Sequence, residues 1–319
     1  MTSTPDLTIT TACDSNYLWG VFLLVASLRQ NKVEAPILVL AKDFSRENAR
    51  LLEQFASVQL VPLPGYQRNL TTSKPQAMLG ARSEWLAWMD SDCMAIGDLT
   101  PYLIPPNGEL HIRARGEAEN RSIYERHYRA GELRQGVPAH IHDAWRRDVG
   151  DLEQPRLRTT CVSNVIVMNQ RHRPFLELWK AQMEKVLSAG MTGLVDRTNP
   201  AYHMTDESVL TSLLTFSSIA PKVDTSFLLD VRERAHVAHF GTAPKPWHRW
   251  KLRSFHWYEP VLDCLRWCAE NGHRTPPLPW TFKRSYKHAS HAIAALEEAA
   301  LTAKRRAGAI IRAALPRPS

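Results

Sequence analysis

The chain has 319 residues, 44% of them apolar and 23% charged, which suits one sizeable core or two modest domains. No apolar stretch reaches the roughly 18 residues that span a bilayer, and Met1 to Asp6 carry no positive side chain ahead of an apolar run. No membrane span or signal peptide is therefore expected, and the cytoplasm is the expected compartment. The formal net charge of +8 implies an anionic partner, and five irregularly spaced cysteines exclude a disulfide framework.

The first hundred residues alternate strand and helix signals. Leu7–Thr11 is a β-rich run, Leu18–Arg29 has apolar residues at helical spacing, and Pro36–Leu40 is an apolar strand. Ser45–Phe55 reads as an amphipathic helix capped by Ser45, with Leu51, Leu52 and Phe55 on one face. Val58–Val61 is a third strand, Ser73–Arg82 a helix with Pro75 in its first turn, and Trp85–Met89 a fourth, fully apolar strand. This order predicts a mainly parallel sheet covered by helices, with ligands beyond the carboxyl ends of the strands.

Residues 105–158 are polar, rich in Arg and without clear periodicity, a pattern expected of a functional or mobile stretch. Val162–Met168 returns as a strand, followed by helices at Pro174–Val186 and Glu207–Phe216 and candidate strands at Val223–Leu229 and His236–Phe240. Beyond Trp250 the composition shifts to Trp, Pro and basic residues, and a helix is expected from about Ser285 to Leu315. Cys264 and Cys268 share a helix face without further ligands and read as buried thiols. No nucleic-acid-binding motif is present, so a phosphorylated substrate or anionic lipid is the expected anionic partner.

Asp90-Ser91-Asp92 closes the Trp85–Met89 strand. Two carboxylates one residue apart at a strand's carboxyl end can hold a hard divalent cation over a cleft, and such a cation suits a diphosphate. About one such pair is expected by chance in a chain this long, so its weight lies in its surroundings. Asp14, Asn16 and Tyr17 follow the first strand, where they could bind a nucleoside or simply form a capped turn. Lys74 opens the helix before the Asp pair. Asp206 and Glu207 open a later helix, where acids also favour the macrodipole. His239, six residues before Lys245-Pro246-Trp247, offers a nitrogen ligand and a phosphate-pairing Lys.

Together these segments resemble glycosyltransferase family 8 and its GT-A relatives over roughly residues 7–250. His239 and Lys245-Pro246-Trp247 match the family's His-x-x-Gly-x-x-Lys-Pro-Trp spacing, with Gly241 one position early. Asp90 and Asp92 match its Asp-x-Asp, the stretch from Ala12 to Tyr17 its first nucleotide-binding loop, and Asp206-Glu207 its Asp-Gln pair. The segment ending at Asn169 departs from the pattern: Val162 stands where the family has Asn and Asn164 where it has Gly.

The resemblance implies a GT-A-type Rossmann-like mixed sheet flanked by helices. It implies Mn²⁺ or Mg²⁺ bound by Asp90, Asp92 and His239. It places the nucleotide sugar on Ala12, Asp14, Asn16, Tyr17, Lys74, Asp90 and Lys245, and gives Asp206 and Asn164 roles at the reacting sugar. The implied reaction moves a hexose, most often from a UDP-sugar, to a glycan or lipid-linked acceptor with retention. An inverting transferase with Asp206 or Glu207 as base, or a non-catalytic nucleotide-sugar-binding protein, are the alternatives.

The expected organisation is a catalytic domain over 1–257, with 105–158 as an acceptor-side insertion, and a helical basic extension over 258–319. The arginines of the insertion, from Arg113 to Arg147, suit an anionic acceptor. In the last helix Ile293, Leu296, Ala300, Ala303, Ala307, Ile310 and Ala314 recur at helical spacing among Lys and Arg. That pattern suits contact with an anionic membrane, or packing against protein.

Overall fold

The computed structural model describes residues 6–63, 70–104, 109–187, 195–224, 226, 227, 229 and 235–314, with side chains described through residue 307. The chain divides into two compact units, Met1–His239 and Phe240–Ser319.

The first unit is built on a seven-stranded mixed sheet. Four parallel strands come from the N-terminal third: β1 (Leu7–Asp14), β2 (Ile37–Lys42), β3 (Val58–Pro62) and β4 (Trp85–Met89). β5 (Cys93–Ala95) follows β4 directly. β6 (Leu110–Ala114), β7 (Cys161–Asn169) and β8 (Val223–Asp224) complete the sheet in the order β3-β2-β1-β4-β7-β6-β8, and β7 alone runs against the rest. The expected helices follow as α1 (Leu18–Gln30), α2 (Arg46–Glu53) and α3 (Lys74–Gly80). α1 buries ten successive residues, Trp19 to Leu28, because it is apolar on every side rather than on one stripe. The hydroxyl of Ser45 accepts from the Asn48 amide at 3.1 Å, capping α2 as its sequence predicts.

The polar stretch 105–158 contains more structure than its pattern announces. β6 lies there, hidden because its apolar positions are only Leu110, Ile112 and Ala114, and so do α4 (Glu117–Tyr124) and α5 (Ala139–Val149). α6 (Arg173–Val186) and α7 (Asp206–Phe216) then pack with α5 around Trp88, Trp145, Ile166, Trp179 and Phe216. Of the predicted strand Val223–Leu229 only β8 forms, and residues 225 and 228 lie outside the described residues.

A small second sheet matters most for function. β9 (Val237–His239) pairs antiparallel with β5, with Cys93 opposite His239. This pairing carries a residue 147 positions away to the end of β4 (239 minus 92).

In the second unit Trp250 is the centre of the core. Its ring lies 5.4 to 6.2 Å from those of Phe240, Phe255, Tyr258 and Phe282, and its indole donates to the Thr281 carbonyl at 2.9 Å. The helix α8 (Tyr258–Glu270) buries Cys264 and Cys268, and α9 (Lys287–Ala314) closes the unit. α9 buries Ser290 and Ala294 and bonds Glu297 to Arg249 (2.6 Å) and Lys251 (3.0 Å). The stripe that sequence spacing singled out faces away: Leu296 is 71% exposed, and Ile293, Ala300, Ala303 and Ala307 are also exposed. The side chains of Ile310 and Ala314, and all of Leu315, lie outside the described residues.

Candidate active site

Strand order reverses between β1 and β4, because the chain builds outward through β2 and β3 before returning to the other side of β1. Ligands of open α/β sheets bind in the crevice beyond such a reversal. The segments that emerge there are Asp14 to Tyr17 after β1 and Asp90 to Asp92 after β4.

Asp90 is held on one side and open on the other. Its Oδ1 accepts from the Trp88 indole at 2.7 Å and from the Lys74 ammonium at 2.9 Å, and its amide donates to the Asn164 carbonyl at 2.8 Å. Lys74, 2% exposed, also reaches Asp206 (3.1 Å), the Ser163 hydroxyl (2.7 Å) and the Ser163 carbonyl (3.0 Å). The Ser163 hydroxyl passes the chain on, donating to Asp206 Oδ2 at 2.9 Å. Burial opposes the charge on Lys74, but Asp206, then Asp90 and Glu207, outweigh it and hold the ammonium above its ordinary range. Lys74 thus ties α3, β4, β7 and α7 together at the sheet's carboxyl end.

On its open side Asp90 faces His239. The imidazole Nε2 lies 3.7 Å from Asp90 Oδ2 and 3.3 Å from Asp92 Oδ1. Two donors on one hard divalent cation, each about 2.1 Å from it, sit about 3 Å apart at right angles. The two separations from His239 therefore approach those between neighbouring ligands of such a cation, and the donor atoms that all lie within 4.8 Å of one another belong to Asp92, Cys93 and His239. A thiolate there would suit a softer ion, whereas the two carboxylates and one imidazole suit Mn²⁺ or Mg²⁺.

α7 begins under strain. Thr205, fully buried, has φ +48°, an uncommon conformation for a β-branched residue, and its hydroxyl donates to Asp206 Oδ1 at 3.2 Å. Both Asp206 oxygens are thus engaged. Glu207 is engaged too: Arg115 pairs with one oxygen at 2.5 Å, and the Ser163 amide donates to the other at 3.2 Å. Just upstream, burial and then His127 push the His203 imidazole down to about 4.

The remaining sequence-predicted residues fall as follows. Ala12 is buried within β1 opposite Leu40. Asp14 Oδ1 accepts from the amides of Asn16 (3.0 Å) and Tyr17 (3.2 Å), which shapes the loop after β1 and leaves Asn16 exposed. Asn164 and Val162 are buried in β7. Lys245 belongs to the second unit, where its ammonium donates to the Phe240 carbonyl at 2.8 Å. Trp88, Ser163, Arg115, Cys93 and Thr205 complete the cluster, and sequence reasoning singled out none of them for it. Arg115 stood out only among the insertion's arginines.

This is the fold of the GT-A-type glycosyltransferases. Among solved structures, it is similar to WbbM, a bifunctional glycosyltransferase, with a TM-score of 0.53 and 15% identity. That match covers 83% of this chain and 50% of WbbM, so the chain spans half of that protein's length. The galactosyltransferase LgtC, solved with donor and acceptor sugar analogues, superposes with a TM-score of 0.52 and 13% identity over 86% of this chain and 98% of LgtC. GlyE of Streptococcus pneumoniae gives 0.50 and 15%, over 85% of this chain and 65% of GlyE. No protein-family model and no curated protein matches the sequence.

Proposed function

We propose that the chain is a metal-dependent glycosyltransferase that moves a hexose from a nucleotide diphosphate sugar, UDP-linked in the simplest reading, to a glycan or lipid-linked acceptor with retention. The observation that carries this is the meeting of Asp90, Asp92 and His239 at the β1/β4 reversal, on a carboxylate braced by Lys74. Asp90, Asp92 and His239 would hold Mn²⁺ or Mg²⁺, which when bound neutralises charge on the departing diphosphate. Asp14, Asn16 and Tyr17 would receive the nucleoside. Asp206 and the β7 segment around Asn164 would border the sugar, with Val162 narrowing what fits. The assignment of Lys245 to the diphosphate rests on its six-residue separation from His239 in sequence.

Retention is favoured over inversion by the state of the acids. Inversion needs a carboxylate open to accept the acceptor's proton. Asp206 is tied to Lys74, Ser163 and Thr205, and Glu207 to Arg115 and Ser163. Front-face attack needs no such base, because a leaving phosphate oxygen can take the proton. NMR of the first product formed from a UDP-hexose and Mn²⁺ should show the donor's anomeric configuration. The opposite anomer would return Asp206 or Glu207 to the role of base.

The second unit supports peripheral contact with an anionic membrane. No helix among the described residues is long and apolar enough to cross one. Yet Trp280 and Tyr286, whose rings lie 6.1 Å apart just before α9 in the chain, are exposed, and so are Lys304, Arg305 and Arg306 along the helix. Ile293→Glu/Leu296→Glu should reduce co-sedimentation with phosphatidylserine vesicles severalfold, because it spoils the open face and spares Ser290, Ala294 and Glu297. Equal sedimentation of variant and wild type would remove the membrane role.

A further inference from the structure

Of the eight arginines from Arg113 to Arg147, four are paired with acids and four, Arg121 and Arg126 among them, have no ion pair among the described residues. Arg113 pairs with Glu119, Arg115 with Glu207, Arg134 with Glu125, and Arg146 with Asp143 and Glu153. Arg129 and Arg147 have no carboxylate within ion-pair distance among the described residues, and both line one pocket of about 360 Å³. That is the size of a small-ligand site.

The pocket is built rather than incidental. His140, Asp143 and Arg147 stand at three- and four-residue steps on α5 and share one face, and Asn199 and Ala201 form the opposite wall. Two hydrogen bonds fix that wall to the helix: the Trp145 indole donates to the Ala201 carbonyl at 2.7 Å, and the Tyr202 hydroxyl donates to Asp148 at 2.9 Å. Nδ1 of His140 is buried and without a hydrogen-bond partner. Two acids stand nearby, and each has other partners. Asp143 is bound to Arg146, and Glu132 accepts from the backbone amides of Ala139 (2.6 Å) and Arg129 (2.9 Å). Two guanidiniums without an ion pair among the described residues therefore line the pocket, together with Asp143, which is paired with Arg146.

We propose that this pocket is a subsite for an anionic group, a carboxylate or a phosphate, carried by the acceptor. The proposal rests on the transferase reading for the word acceptor, while the binding itself does not depend on it. Guanidinium forks match both anions in a two-point geometry. Position supports the link to transfer. Asp206 lies five positions after Ala201, and a chain of that length reaches at most about 18 Å. An acceptor of a few sugar units would span the pocket and the reacting end.

The test titrates the full chain with inorganic phosphate, with glucuronate and with glucose, following thermal stabilisation. Wild type should show saturable stabilisation by phosphate, glucuronate or both, and none by glucose; which anion acts identifies the class. Arg129→Gln/Arg147→Gln should weaken that anion about tenfold or more, the loss expected of charge-assisted hydrogen bonds, whereas Arg121→Gln, outside the pocket, should not. In transfer assays the double variant should raise KM for a phosphorylated or uronate acceptor about tenfold and leave donor KM unchanged. Equal anion binding in the double variant overturns the site, and a moved donor KM with constant acceptor KM overturns its assignment to the acceptor. Asp92→Ala should keep the anion response, which separates failure of this site from failure of the metal site.

Discussion

Asp92→Ala should lower sugar transfer about a thousandfold or more and remove the metal dependence of nucleotide binding, with little change in the fold. Asp92 is buried at 7% exposure, its carboxylate sits 3.3 Å from His239, and it lies in the turn between β4 and β5 rather than in the packed core. Removing one preorganised charge-stabilising group costs roughly 10²–10³ in rate, and loss of a first ligand also lowers occupancy of the cation. Transfer is measured by nucleotide release and the fold by circular dichroism. Unchanged turnover in a folded variant would sink the assignment of Asp90, Asp92 and His239 as the metal site.

Lys74→Met should be the most damaging single change to stability. It keeps the length of the side chain and removes the charge, leaving Asp90 and Asp206 facing each other without their shared cation. Breaking a buried ion pair from one side costs about 3–5 kcal/mol, and each kcal/mol moves Tm by about 2–4 °C in a unit of this size. A fall in Tm of roughly 10 °C is therefore expected. Adding Asp206→Asn should recover part of it, because the second change removes one of the stranded charges. Metal affinity of Lys74→Met should fall as well, since Asp90 Oδ1 loses one of its two donors. A Tm equal to wild type, or a double variant less stable than Lys74→Met, would show that the network does not hold the site together.

The legible parts of this molecule were those governed by local pattern. β1 to β4 announce themselves as apolar runs separated by helices, one of them capped by Ser45, and that alternation singles out the segments after β1 and β4, which carry Asp14 and Asp90. Contacts between distant positions were not legible. Ser163 was one residue of a strand whose first eight residues are all buried, and its role as the link from Lys74 to Asp206 depends on register. Arg115 was one arginine among ten in the polar stretch 105–158, and only the structure brings it to Glu207, 92 positions on. Trp88 looked like core, and it is core, but its one polar atom meets Asp90.

The last helix shows a different limit. Periodicity located its apolar stripe, yet the face that packs carries Ser290, Ala294 and Glu297. Small side chains allow close approach and Glu297 finds two cations, so shape and charge decide which side is buried. The stripe left open is what makes the membrane proposal testable.

The charge pattern of the site also explains how a second acid, Glu207, can stand beside Asp206. An additional carboxylate beside Asp206 and Asp90 would raise the cost of assembling the site. Arg115, buried against it and also donating to the Cys161 carbonyl at 2.7 Å, supplies the compensating charge. Glu207 is thus paired with a cation in the same cluster rather than left to solvent.

The most direct measurement is a calorimetric titration of UDP into the intact chain, with and without Mn²⁺, for wild type and Asp92→Ala. Mn²⁺ should tighten UDP binding to wild type at least tenfold and change nothing in the variant. UDP binding that is absent, or equally tight with and without Mn²⁺ in wild type, would contradict the metal-site assignment.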